Sequence, residues 1–117
     1  MHLKAMILGA GRIGRGFVSE LLHANQVEIT YFDASSVMVD KLNEKKEYTI
    51  HVLGAEELNT HMEGVQAHLF YDIDALCSCW KEADFLFTAC GGKNMGNVGE
   101  TLAKAFKRLV EIGRAHV

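Results

Sequence analysis

Apolar positions along this chain form short runs separated by stretches of helical spacing. Ala5, Met6, Ile7 and Leu8 predict a first strand beginning at about Leu3. Ile13, Phe17, Val18, Leu21 and Leu22 then recur as one side of a helix does. Val27–Phe32 (VEITYF), β-branched and aromatic and ended by Asp33, predicts the second strand. Ser35 or Ser36 can cap a helix running to about Lys45, with Val37, Val39 and Leu42 as its apolar positions. Tyr48–Leu53 alternates, Gly54 turns the chain, and Glu57–Met62 can return antiparallel, making a small hairpin. Val65–Phe70 is the next strand, and Asp72 or Asp74 opens a helix through Ala75, Leu76 and Trp80. Ala83–Cys90 (ADFLFTAC) is nearly all apolar, as a parallel strand buried on both faces would be. Gly91-Gly92 ends it, and Asn94 can cap a last helix with Val98, Leu102, Ala105, Phe106 and Leu109. The alternation predicts an α/β fold, a doubly wound parallel sheet with a small β-hairpin insertion and right-handed crossovers.

The turn after the first strand carries the chemistry. Gly9-Ala10-Gly11-Arg12-Ile13-Gly14 is a G-x-G-x-x-G sequence between a strand and a helix. Gly9 permits the tight turn, Gly11 lets backbone approach a pyrophosphate, and Gly14 lets the helix lie close on the strand. The helix N-terminus then offers unpaired N–H groups and a partial positive charge to the phosphates. Ala10, Ile13, Arg15 and Gly16 complete the candidate phosphate-binding segment. Arg12 and Arg15 each read two ways, as phosphate ligands or as residues facing solvent or paired within the protein. Asp33 ends the next strand roughly 20 residues on, where a carboxylate can accept the adenosine ribose hydroxyls. That charge opposes a 2′-phosphate, and Ala34-Ser35-Ser36 offers no arginine to hold one, so NAD is expected over NADP. The loop Thr88–Gly92, with Ala89 at its start, would meet the cofactor through backbone at the topological switch point, and Cys90 reads as a packing residue.

Composition narrows the partners. The chain has 117 residues, 49% of them hydrophobic, enough for one core and one domain. Its 12 basic and 15 acidic residues are dispersed, with no basic block, which argues against nucleic acid. No apolar run approaches a membrane span, and no leader precedes the first strand, so a cytoplasmic location is expected. Cys77, Cys79 and Cys90 are an odd set at unsuitable spacing, and none of the six histidines forms a metal motif; no metal site is expected.

GAGRIGRGF, the Phe32-Asp33 that ends the second strand, YTIHVLGAEE and TACGG occur in an order that resembles the mannitol-1-phosphate 5-dehydrogenases, within the wider group of polyol dehydrogenases and hexuronate reductases. The resemblance extends to about Val110 and implies an NAD-dependent oxidoreductase with a Rossmann domain. Its reaction would interconvert mannitol 1-phosphate and fructose 6-phosphate. Arg12, where such enzymes often carry asparagine, and Gly91-Gly92-Lys93-Asn94, closer to longer relatives, keep a mannitol dehydrogenase or hexuronate reductase open. A stand-alone NAD-sensing module is a further alternative. The resemblance places the general-base lysine, with asparagine and histidine companions, in a helical C-terminal domain that would hold the polyol or sugar phosphate. No lysine here matches that motif, so no catalytic residue is carried over. Residues 1–110 are accordingly expected to be a truncated cofactor domain, inactive alone. Its sheet order would be 3-2-1-4, leaving Ala83–Cys90 as an exposed edge. EIGRAHV matches the translation of a common sequencing adapter, so residues 111–117 are read as foreign.

Overall fold

A computed structural model describes residues 3–10, 16, 18–50, 54, 59–89 and 95–115. Among them the order is β1 (Lys4–Leu8), α1 (Ser19–Ala24), β2 (Glu28–Asp33), α2 (Ser36–Lys45), β3 (Glu47–Ile50), β4 (Thr60–Glu63), β5 (Gln66–Leu69), α3 (Ile73–Glu82), β6 (Phe85–Thr88) and α4 (Met95–Ala115). A four-stranded sheet runs β5-β2-β1-β6, every pairing parallel. This is the 3-2-1-4 order that the sequence predicts, and the fold is an α/β doubly wound one. β3 and β4 pair antiparallel as a separate hairpin, Tyr48 opposite Met62. Gly54, between them, has φ +77°, a left-handed conformation that favours glycine. The remaining predicted hairpin positions, 51–53 and 57–58, lie outside the described residues.

Strand alternation divides the core in two. Ala5, Ile7, Ile29, Tyr31 and Ala67 face Leu22 of α1, Val39 and Leu42 of α2, and Met62 of the hairpin. Met6, Leu8 and Phe32 face Leu76 and Cys77 of α3 with Val98 and Ala105 of α4. The sheet is therefore covered by helices on both sides. Side-chain caps start two of the helices as expected: Ser35 accepts from Met38 N–H and Asp72 from Ala75 N–H. One clasp was not foreseen. The Asn43 amide of α2 donates to Ala67 O at 2.8 Å and accepts from Ala67 N–H at 2.9 Å, filling the place of a further strand on the β5 edge.

Three apolar expectations differ from what is observed. Leu21 is 58% and Val37 62% exposed, although helical spacing places both on the apolar sides of their helices. Each helix rests on the sheet along one stripe, and Leu22, Met38 and Val39 already occupy it. β6 is not buried on both faces, since Phe85 is 42% and Leu86 40% exposed. It pairs with β1 and with no other described strand. Helix α4 runs on to Ala115, with Gly113 inside it. Cys77 and Cys79 are free thiols, and Cys90 lies outside the described residues. Among the described residues, no helix is long and apolar enough to cross a membrane.

Candidate functional site

Parallel pairing brings the carboxyl ends of the strands to one margin of the sheet. Leu8 lies opposite Phe32 on one side and Thr88 on the other, and Asp33 lies opposite Leu69. Ligands bind at this margin in doubly wound sheets, where the order reverses between the first strand's two neighbours. Here that is the margin flanked by β2 and β6.

Gly9 leaves β1 with φ +109°, a value that glycine alone adopts at no steric cost. Its N–H still donates to Phe32 O at 2.6 Å, so the turn begins while the chain is bonded to β2. The next residue turns to the Asp33 side chain: Ala10 N–H donates to Asp33 Oδ2 at 2.8 Å. Asp33 Oδ1 accepts from Ser35 N–H at 2.8 Å. One carboxylate thus joins the start of the glycine segment to the entry of α2. Each carboxylate oxygen has two lone-pair sites, so these bonds leave acceptor capacity for a ligand hydroxyl. Asp33 is half-buried and borders open space.

That space is a cleft of about 130 Å³ along the same margin. Leu8, Gly9, Phe32, Asp33 and Ala34 line it from β1 and β2. Phe70 and Tyr71 come from beyond β5, and Asn97 and Val98 from the first turns of α4. These last four residues escaped sequence reasoning. Phe70 and Tyr71 stand after β5 as Asp33 stands at the end of β2, which is a signal available once strand order is known. Asn97 and Val98 carry no such mark, because they reach the cleft only through the return of α4. The lining is apolar walls with one carboxylate, one amide and one phenol, the usual build of a small-molecule site.

Of the other sequence-derived candidates, Ala89 lies at this margin too, its N–H donating to Leu8 O at 2.7 Å. That N–H is engaged within the sheet, so a ligand there would meet other groups of the loop. Gly16 has nothing within 4 Å of where a Cβ would stand, so no close contact among the described atoms demands glycine. Gly11, Arg12, Ile13, Gly14 and Arg15 lie outside the described residues. Among the described residues, no group of three or more His, Cys, Asp and Glu side chains could hold a metal ion.

The fold agrees with the family that the sequence matches. Residues 3–116 match the family model for the mannitol dehydrogenase Rossmann domain. A mannitol-1-phosphate 5-dehydrogenase of Clostridium acetobutylicum is 36% identical over 110 residues, covering 94% of this chain and 29% of the relative. Those of Caldanaerobacter subterraneus subsp. tengcongensis and Thermoanaerobacter pseudethanolicus are 34% and 33% identical, each over 90% of this chain and 27% of the relative. The chain therefore spans between a quarter and a third of the length of these relatives. With its match along nearly the whole length and its 3-2-1-4 sheet, the chain belongs to the mannitol dehydrogenase family, in the region of that family's Rossmann domain.

Proposed function

We propose that this chain is the NAD-binding part of a dehydrogenase that interconverts mannitol 1-phosphate and fructose 6-phosphate. The carrying observation is the Asp33 carboxylate, held by Ala10 N–H and Ser35 N–H beside an open cleft. The residues present fit the cofactor. Gly9 turns with positive φ, Asp33 retains lone pairs for ribose hydroxyls, and Phe70, Tyr71 and Val98 give the cleft apolar walls for an adenine ring. NAD, when bound, supplies the acceptor or donor of hydride.

Selectivity for NAD over NADP is argued from the same residues. A 2′-phosphate would approach the Asp33 carboxylate. The neighbouring Ser35 has its N–H on Asp33 and its hydroxyl oxygen on Met38 N–H at 3.3 Å. No Lys or Arg follows within the helix's first turn to offset the repulsion. The mannitol 1-phosphate assignment rests on the names of the relatives, and the polyol would be held outside the region they share with this chain.

Titrating the 117-residue chain with NADH and NADPH, read by nicotinamide fluorescence, tests the reading. NADH is expected to bind at least about tenfold more tightly, since an unpaired like charge at the ribose costs on the order of 1–3 kcal/mol. Asp33→Ser should remove most of that difference. Tighter binding of NADPH to the unsubstituted chain would overturn the assignment. The chain alone is expected to bind NADH, yet not to oxidise mannitol 1-phosphate when supplied with oxidised NAD, because no residue in it matches the family's general base.

A further inference from the structure

Tyr48 of β3 does not line the cleft, and the cofactor reading gives it no task. Its hydroxyl is 2.6 Å from that of Tyr31, and the Tyr31 hydroxyl is 2.7 Å from Ser19 Oγ. The two rings meet edge to face with centroids 6.3 Å apart. Tyr31 and Ser19 are fully buried. Three hydroxyls from β3, β2 and α1 thus form one continuous chain across the face of the sheet that carries the hairpin.

The position of this chain gives it a consequence at the site. Tyr31 stands two residues before Asp33 on β2, so their side chains leave the strand on the same face. Asp33 holds Ala10, at one end of the segment between β1 and α1. Tyr31 holds Ser19, at the other end. Ala10 and Ser19 are thereby both tied to β2, and the second tie is backed by the hairpin.

We propose that Ser19, Tyr31 and Tyr48 are positioning residues that fix the start of α1 against β2, the strand that carries Asp33, and that the β3–β4 hairpin tunes dinucleotide affinity through them. The proposal rests on the NAD-binding reading given above. A hydroxyl chain is suited to this work because each bond fixes a direction as well as a distance, and because its members polarise one another in a buried setting. Apolar packing at the same place would hold the hairpin without specifying where Ser19 stands.

The test uses the full chain and Tyr48→Phe, Ser19→Ala and the double variant, with Thr49→Ala as a hairpin control whose side chain faces His61 instead. Each single variant should weaken NADH binding about three- to tenfold, as loss of one buried hydrogen bond does. The double variant should weaken it by little more than either alone, because both cut the same chain. Thr49→Ala should leave affinity unchanged. Amide exchange over Ser19–Ala24 should quicken in Tyr48→Phe while exchange in α3 stays as it was. A purely structural role would lower the melting temperature and leave the affinity of the folded protein within twofold of the original; that result would overturn the proposal. Absence of NADH binding by the unsubstituted chain would instead overturn the function reading, and this inference with it.

Discussion

Asp33 serves the fold before it serves any ligand. Hydrogen bonds to an ionised acceptor contribute about 1.5–3 kcal/mol each, more than neutral ones, and Asp33 accepts two from backbone. The exposed Arg108–Asp74 ion pair between α4 and α3 contributes at most about 1 kcal/mol by comparison. Cys79 is a residue whose proton balance the fold does shift. Burial pushes its thiol above the ordinary value of 9.0, and the charge of Glu82 pushes it further, against the opposing pull of Lys4 and a hydrogen bond from Thr30. With less thiolate at a given pH, Cys79 should react with iodoacetamide at pH 8 more slowly than free cysteine does. Below pH 9.0 both folded and unfolded states keep the thiol protonated; above it the unfolded chain ionises first, so stability falls as pH rises through the folded value. Replacing Cys79 by Ser should flatten that alkaline fall, which denaturant midpoints between pH 8 and pH 10 would show. At this scale the place of Asp33, at the end of β2 beside the glycine turn, was legible because it follows from spacing along the chain. Tyr71 and Asn97 were not, since only tertiary return brings them beside it.

Among the elements, the hairpin and the strand order were legible because alternation, turn glycine and right-handed crossover leave few arrangements open. The exposed sides of Leu21 and Val37 were hidden. A short helix with apolar residues on adjacent positions does not say which of them faces the sheet. Asn43 was equally hidden, as an asparagine late in a helix reads as a solvent-facing residue. Its amide supplies both hydrogen bonds that Ala67 would otherwise make with a neighbouring strand. Asn43→Ala should lower stability by about 1–2 kcal/mol, the net loss of two partly exposed hydrogen bonds, with water taking part of their place. Thermal unfolding of the two forms checks this, and a melting temperature unchanged to within a degree would sink it. The effect should appear without loss of NADH affinity, because α2 touches the cleft only through its entry at Asp33 and Ala34.

On the scale of the whole molecule, a two-faced core supports a sheet whose two edges differ. The composition of β6 calls for burial on both faces, and the described structure gives it β1 on one side only. Phe85 and Leu86 are exposed there, and the rings of Phe85 and Phe87 lie 6.3 Å apart along the strand. An apolar unpaired edge invites association with another chain. The 117-residue polypeptide is expected to self-associate, with a mass by light scattering that rises with concentration. Leu86→Lys should shift it toward monomer by placing a charge on that edge. A concentration-independent monomer would refute the expectation. The Asn43 clasp gives this asymmetry a direction. With Ala67 already answered by a side chain, the β5 margin behaves as a selvedge, finished against further weaving. Among the described strands, lengthening of the sheet by a neighbouring chain has one loose margin from which to proceed, the outer edge of β6, and β6 is the strand paired to β1, which leads into the glycine turn.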